Sequence, residues 1–540
     1  MSLAKNLSDI CKALKKKAAK WDWILPLLGS LTRDKDSGVK VASINQLLVF
    51  SETCTSHEKE SYLLGLVIGI TRAKEVQVYG VHLLSKFAKH LKPQTCEKIV
   101  LPEIINSTQS YILKVKKKAI RALPKVSKSI HWKAFNKKVL PVFVKLCSAE
   151  NSIVKKECSD VIGKLAHFAS SKERKTRLLE VFIGLLQNSS NFVREASQKQ
   201  VGRFLSELGY LDCFLLKEYK QAAMQNKEPA VMCAYYFPEV LRTTKNWSEL
   251  LQVFQSLAAN PQSQVRIIIA AAFPLILKNL ADKDVRIVVS IYKHFLRDVD
   301  EVKIKALKGL PLILQKIDRT KRMEFLDIVR RIQKFNLNWR IRNTVAKKLA
   351  KIARNYNLSV WAEHLWEVGL GLAYDDFAAV RTSVCGSLGF MFKSLWNIRS
   401  DWNSQLLQSV SQLAQSQSYQ DRITFLKFAK SLTGSIDNFS EIRTLIQDLC
   451  TDTVVNVRIC CSELVKEGLG KNTFWSTLAS ILNSDCDWDV VLTLKGASLS
   501  KTKNKHIQVE GPIMLTWKPK GKTVLKNQLV GGEQIQFLMS

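Results

Sequence analysis

A short pattern returns along this chain every 39 residues or so: an apolar residue, most often Val, then a basic residue, then a run rich in Ala, Ser and larger apolar side chains. It reads SGVKVASINQLLVF at 37–50, YILKVKKKAIRALPKVSKSI at 111–130, NFVREASQKQVGRFLSEL at 191–208 and NWRIRNTVAKKLAKIA at 338–353. Taking the apolar residue as an anchor gives Val39, Val76, Val115, Val154, Val193, Val231, Val265, Val302, Ile341, Val380, Asp421 (a polar stand-in), Val457 and Val490. No basic residue follows Val231 or Val490, which makes these two the weakest members. Such a period holds two helices of about four turns with two short connections. Val115, Ala119, Ala122, Leu123 and Val126 fall at i, i+3, i+4 spacing, as do Ile341, Val345, Leu349 and Ile352, so the helix after each anchor carries an apolar stripe. One pair of helices cannot bury that stripe alone, so the pairs must stack.

The expected fold is all-α, a superhelix of antiparallel helix pairs that resembles the HEAT and armadillo solenoids. It runs over residues 1–500 as about 13 repeats, with a short β-prone extension over 501–540. The extension holds candidate strands at 506–509, 513–517, 523–525 and 534–538, separated by Gly- and Pro-containing turns. Prolines fit the repeat. Pro124, Pro274 and Pro311 lie nine residues after their anchors and Pro238 seven, where a missing N–H predicts a bend. Pro102 and Pro141 read as first-turn prolines of the first helix of a pair. The basic residue after each anchor sits in the first turn of a helix, where the dipole disfavours a cation. Its recurrence predicts an acidic partner in the preceding turn of the same or adjacent repeat, for which Asp34, Asp36, Asp298, Asp300, Asp375, Asp376 and Asp452 are placed.

Charge is distributed unevenly. The chain carries a formal +35, and residues 1–200 alone hold 36 Lys and Arg against 16 Asp and Glu. Residues 301–354 are also basic, whereas 355–500 hold 11 against 15. Separate surfaces for separate partners follow from this. Lys116, Lys117, Lys118 and Arg121 crowd one helix and are candidates for contact with an acidic partner, since they lie outside the Val115/Ala119/Ala122 stripe. By the same reasoning, changing all four to Glu is expected to leave the fold intact. A second concentration runs from Lys316 to Lys334. Aromatic residues are not interleaved with either, so a single-strand stacking platform is not indicated, while nucleic acid stays open without a motif. No run is long and apolar enough to span a membrane, and the basic start has no signal-peptide core, so cytoplasm and/or nucleus is the expected location.

Residues 338–353, AYDDFAAVRTSVCGSLGFMFKSLW, AQSQSYQDRITFLKFAKSL and CTDTVVNVRICCSEL resemble consecutive repeats of the scaffold (A) subunit of protein phosphatase 2A. The related regulatory subunit of protein phosphatase 4 has repeats of similar type. The resemblance covers about 335–468 and fades to generic periodicity over 30–334. It implies a horseshoe that binds partners through the turns within each pair, with a phosphatase catalytic subunit on the C-terminal repeats and a regulatory partner on the N-terminal ones. On that basis Trp339 and Arg340 match a Trp-Arg pair facing the catalytic subunit, and Phe377, Tyr419 and Asn456 occupy comparable turn positions. Two readings of Trp339 stand open: an inter-repeat stacking residue or a partner-facing aromatic. The family scaffold is acidic and lacks such a tail, in contrast to this chain, so a basic adaptor for an acidic, ribonucleoprotein or cytoskeletal partner is the alternative.

Nothing in the sequence points to catalysis or to a cofactor. GxGxxG before a helix, Walker, HExxH and GxSxG motifs are missing, and the twelve cysteines and eight histidines show no zinc spacing. The expectation is a non-catalytic scaffold without metal or cofactor.

Overall fold

A computed structural model describes residues 2–14, 20–396 and 398–496. The β-prone extension expected over 501–540 lies outside them. Helices follow one another throughout, with no strand among the described residues. Each anchor stands in the second helix of a pair or, for Val76, immediately before it. Val115, Val193, Val265, Val302, Ile341, Val380, Val457 and Val490 are fully buried. Val39, Val231 and the polar Asp421 are only half-buried.

The starts of these second helices are set by local chemistry. Asp36 accepts a hydrogen bond from the Val39 amide, Asn151 from the Ile153 and Val154 amides, and Asn338 from the Arg340 amide. Each cap satisfies amides that the first turn leaves without an intrahelical partner. Second helices then pack directly on one another in succession, Gln77–Phe87 on Leu113–Ser127 on Ser152–Ala166, and Trp339–Ala353 on Ala378–Leu395. The first helices touch their successors less closely, so the second helices form the inner layer of a curved stack. One continuous core runs from Leu7 to Leu494.

Pro124, Pro238, Pro274 and Pro311 all lie inside helices that continue through them. Pro274 serves packing: a Cβ added to Gly309 of the next repeat would meet its Cγ at 3.0 Å. Pro102 and Pro141 do begin α segments, Leu101–Thr108 and Leu140–Cys147, but these continue π turns at Cys96–Val100 and Phe135–Val139. They therefore stand midway along the outer helices, whose true starts are Pro93 and Trp132. The same π turn recurs at Lys59–Leu63, Arg174–Leu178 and Trp361–Leu365. A proline, having no N–H to donate, suits the place where winding changes.

Candidate protein-docking ridge

At Arg266, Arg342, Arg422 and Arg458 the basic residue after the anchor is a clamp. In Arg342, Nη1 donates to the Asn336 carbonyl at 2.6 Å while Nη2 donates to Asp375 Oδ1 of the next repeat at 2.9 Å. Arg266 reaches Asp298 through Nε and Nη2, both at 2.7 Å, and also the carbonyls of Asn260 and Pro261. Arg422–Asp452 and Arg458–Asp485 repeat the arrangement. A cation at a helix start is thus offset twice, by carbonyls at the C-terminal end of the preceding helix and by a carboxylate one repeat on. The carboxylate is held in turn: Asp375 Oδ1 accepts from the Phe377 amide and Asp452 Oδ1 from the Val454 amide.

Of the acids named from sequence, Asp298, Asp375 and Asp452 join this ladder. Asp36 caps its own helix, and Asp300 accepts from Asn338 and Lys303. Asp485 was missed, because Val490 is followed by no basic residue to draw attention to its turn. The rungs are two-thirds buried or more, and a lysine cannot reproduce the fork. Arg342→Lys should therefore lower unfolding free energy in urea by roughly 1–3 kcal/mol. Arg381→Lys, whose parent side chain bonds only the carbonyls of Asp375 and Asp376, should cost less in the same titration.

Around these clamps the turns expose apolar side chains. Tyr111 is 79% accessible, Leu337 95% and Trp488 69%, and Phe192, Val299, Phe377 and Tyr419 are exposed as well. All lie within four residues of their anchors, so they form one ridge along the edge of the solenoid. Trp339 makes the inter-repeat stack of the first of its two readings. Its ring stacks on Phe377 of the next repeat at 5.5 Å and 15°, and the Arg340 guanidinium lies over the same ring, its carbon 4.9 Å from the centre. Trp339 is half-buried, whereas Arg340, Phe377, Tyr419 and Asn456 are exposed. The structure brings Trp339, Arg340 and Phe377 together, and sets Tyr419 and Asn456 on the following turns.

The basic cluster divides. Arg121 Nη2 donates to Glu157 Oε1 at 2.6 Å, and Lys117 Nζ approaches the same oxygen at 3.4 Å. Glu157 is buried, so these two cations neutralise a carboxylate inside the stack. The expectation that all four cations lie outside the packed structure is corrected accordingly: Arg121 and Lys117 hold adjacent repeats together, while Lys116 and Lys118 have no ion pair among the described residues. The second concentration is also partly engaged. Arg322 donates to the Asn355 carbonyl at 2.6 Å, and Arg330 and Lys334 pair with Glu367. Among the described residues no group of three His, Cys, Asp or Glu could hold a metal ion, and no helix is long and apolar enough to cross a membrane.

No protein-family profile matches the chain. Regulatory subunit 1 of serine/threonine-protein phosphatase 4 from Mus musculus is 26% identical over 289 residues, 50% of this chain and 30% of that protein. Its Homo sapiens counterpart is 31% identical over 180 residues, 32% of this chain and 19% of that protein. The chain thus matches under a third of the length of these curated relatives. Among solved structures, yeast importin-beta (Kap95p) superposes with a TM-score of 0.54 at 10% identity, covering 91% of this chain and 75% of that one. Importin beta crystallised in an ammonium sulfate condition gives 0.53 at 11% identity, covering 92% and 76%. The chain has an all-α solenoid fold of stacked helix pairs, of the HEAT and armadillo type.

Proposed function

We propose that this HEAT-type protein is an adaptor that holds a protein partner on the ridge of its within-pair turns, with a second, acidic partner on its basic N-terminal half. The observation that carries this is the ridge itself. Exposed aromatic and aliphatic side chains recur at one edge in repeat after repeat, held on turns that the Arg–Asp clamps make rigid. Exposed apolar side chains on turns that also carry Arg and Asp have the composition of a protein interface. The platform of Trp339, Arg340 and Phe377 would be its centre, with Tyr419 and Asn456 extending it.

A more specific reading is that a phosphatase catalytic subunit occupies the C-terminal turns. The sequence match to a phosphatase 4 regulatory subunit supports it. Cytoplasm or nucleus is the compartment proposed for either version. Affinity capture from native extract tests both, using the parent chain beside a Leu337→Ser, Phe377→Ala, Tyr419→Ala variant. These side chains are largely outside the core, so the fold should persist. A protein held by the parent and released by the variant is the expected result. A phosphatase catalytic subunit among the released proteins supports the specific reading, and ribosomal or cytoskeletal material in its place removes it. Identical captures by both chains would show that the ridge is not the docking surface.

A further inference from the structure

Counting ten residues on from the anchors Val76, Val115, Val154 and Val193 lands on Lys86, Lys125, Lys164 and Arg203, each 39 residues after the last. All four lie on second helices, Gln77–Phe87, Leu113–Ser127, Ser152–Ala166 and Val201–Leu208, which pack one on the next. Equal register on stacked helices puts the four side chains in a row along the inner layer. Lys118 lies on the same helix face as Lys125, seven residues before it. No carboxylate among the described residues pairs with Lys86, Lys118, Lys125, Lys164 or Arg203. The carboxylates on these helices are otherwise occupied, Glu157 by Arg121, Asp160 by Lys156 and Glu207 by His167 and Arg174. In the next repeat, the residue that follows Pro238 as Lys125 follows Pro124 is Glu239, already paired with Arg242, and there the row ends.

Like charges in such a row repel, and the neighbourhood registers it. Burial, and then Lys125, Arg121 and Lys86, lower the affinity of Lys118 for its proton. Burial, and then Lys118, Lys125 and Lys86, push the His82 imidazole down to about 4. Folding alone gives no reason to line up uncompensated cations at one repeat position, since each neighbour raises the energy of the next.

We infer that the Lys86–Lys125–Lys164–Arg203 row is a track for an acidic, extended segment of a partner protein. The spacing fits such a segment. Neighbouring helices lie about 8–10 Å apart, and an extended chain advances roughly 3.3 Å per residue, so a carboxylate at about every third position meets one cation per repeat. Among the described residues only Arg203 of the row lies over a ring, that of Tyr236, and a file of cations with a ring at one end alone suits a peptide better than a nucleic acid strand. This rests on the adaptor reading, for which it names the site and the chemistry of the second, acidic partner, and it concerns a different surface from the ridge.

The test is fluorescence anisotropy with the full chain and a labelled peptide of about five Glu-Ser-Gly repeats, beside a labelled oligo-dT of similar length. Replacing Lys86, Lys125 and Lys164 together with Ala should weaken peptide binding by roughly tenfold or more. Replacing Lys98, Lys137 and Lys172 on the outer helices with Ala removes the same charge and should cost less than about twofold. The row variant should melt no lower than the parent, because the groups removed repel one another. Equal losses in the two triple variants would overturn the track, since affinity would then follow net charge alone. Binding of the oligonucleotide but not the peptide would overturn it in favour of nucleic acid. The ridge variant, with its track intact, should bind the peptide as the parent does. If it fails in capture yet keeps the peptide, the track stands without the ridge.

Discussion

Leu349→Asp should unfold the middle of the solenoid. Leu349 is fully buried on the inner helix Trp339–Ala353, and its Cδ2 lies 3.4 Å from where a Cβ on Gly369 would stand, beside Leu388. Removing the leucine side chain alone costs about 2–5 kcal/mol. Placing an unpaired carboxylate in the same space adds a desolvation cost of roughly 2 kcal/mol or more, even when the group takes up a proton. A stack of repeats draws its stability from each unit and from its contacts with neighbours, so the damage should be local first. Hydrogen exchange should show lost protection in the Ile341 and Val380 repeats before the N-terminal ones, and the thermal transition should fall or split. Leu349→Met, which keeps the volume, should cost under about 1.5 kcal/mol. Unchanged melting of the aspartate variant would mean that the stripe is not the shared core.

The stripe itself was readable because its physics is short-range. Val115, Ala119 and Val126, or Ile341, Val345 and Leu349, repeat at a helical period that the sequence displays without any partner. The ladder was half-readable: the oddity of a cation in a first turn called for an acid nearby, and Asp298, Asp375 and Asp452 supplied it. Which carbonyls also bind the guanidinium could not be seen, since the Asn336 carbonyl is aimed at Arg342 by the path of the turn between them, and Asp375 arrives only after stacking. The platform was legible in part. Trp339 and Phe377 stood out as turn aromatics, but their stacking joins residues one repeat apart. The recurring π turns had a faint signal in Pro102 and Pro141, which a plain helical reading moves to the wrong place. Charge was the least legible property. A run of lysines gives a sum, whereas the row at Lys86, Lys125 and Lys164 and the buried Glu157 depend on which face each helix turns to its neighbour.

Arg121→Glu should destabilise the chain, and Lys118→Glu should not, although the two positions are three residues apart on one helix. Glu157 has 1% of its side chain accessible, and its carboxylate depends on Arg121, with Nη2 at 2.6 Å, and on Lys117. Reversing Arg121 leaves a buried carboxylate facing another, a loss of about 3 kcal/mol in line with breaking a buried pair from one side. Arg121 is itself half-exposed, so water softens the effect at its own head group and keeps it near the lower end of that class. Lys118 stands among Lys125, Arg121 and Lys86 with no carboxylate partner among the described residues, so a glutamate there meets only opposite charge. Urea titrations of both variants read the difference directly, provided that the slope stays at its parental value. Replacing Arg121 and Glu157 together with Met should recover much of the loss, because removing both charges leaves neither one buried alone. If Arg121→Glu unfolds at the parental midpoint, Glu157 is solvated and the inner layer is looser than described. If Lys118→Glu is the more damaging of the two, the row of free cations is part of the fold and cannot be the surface left open for a partner.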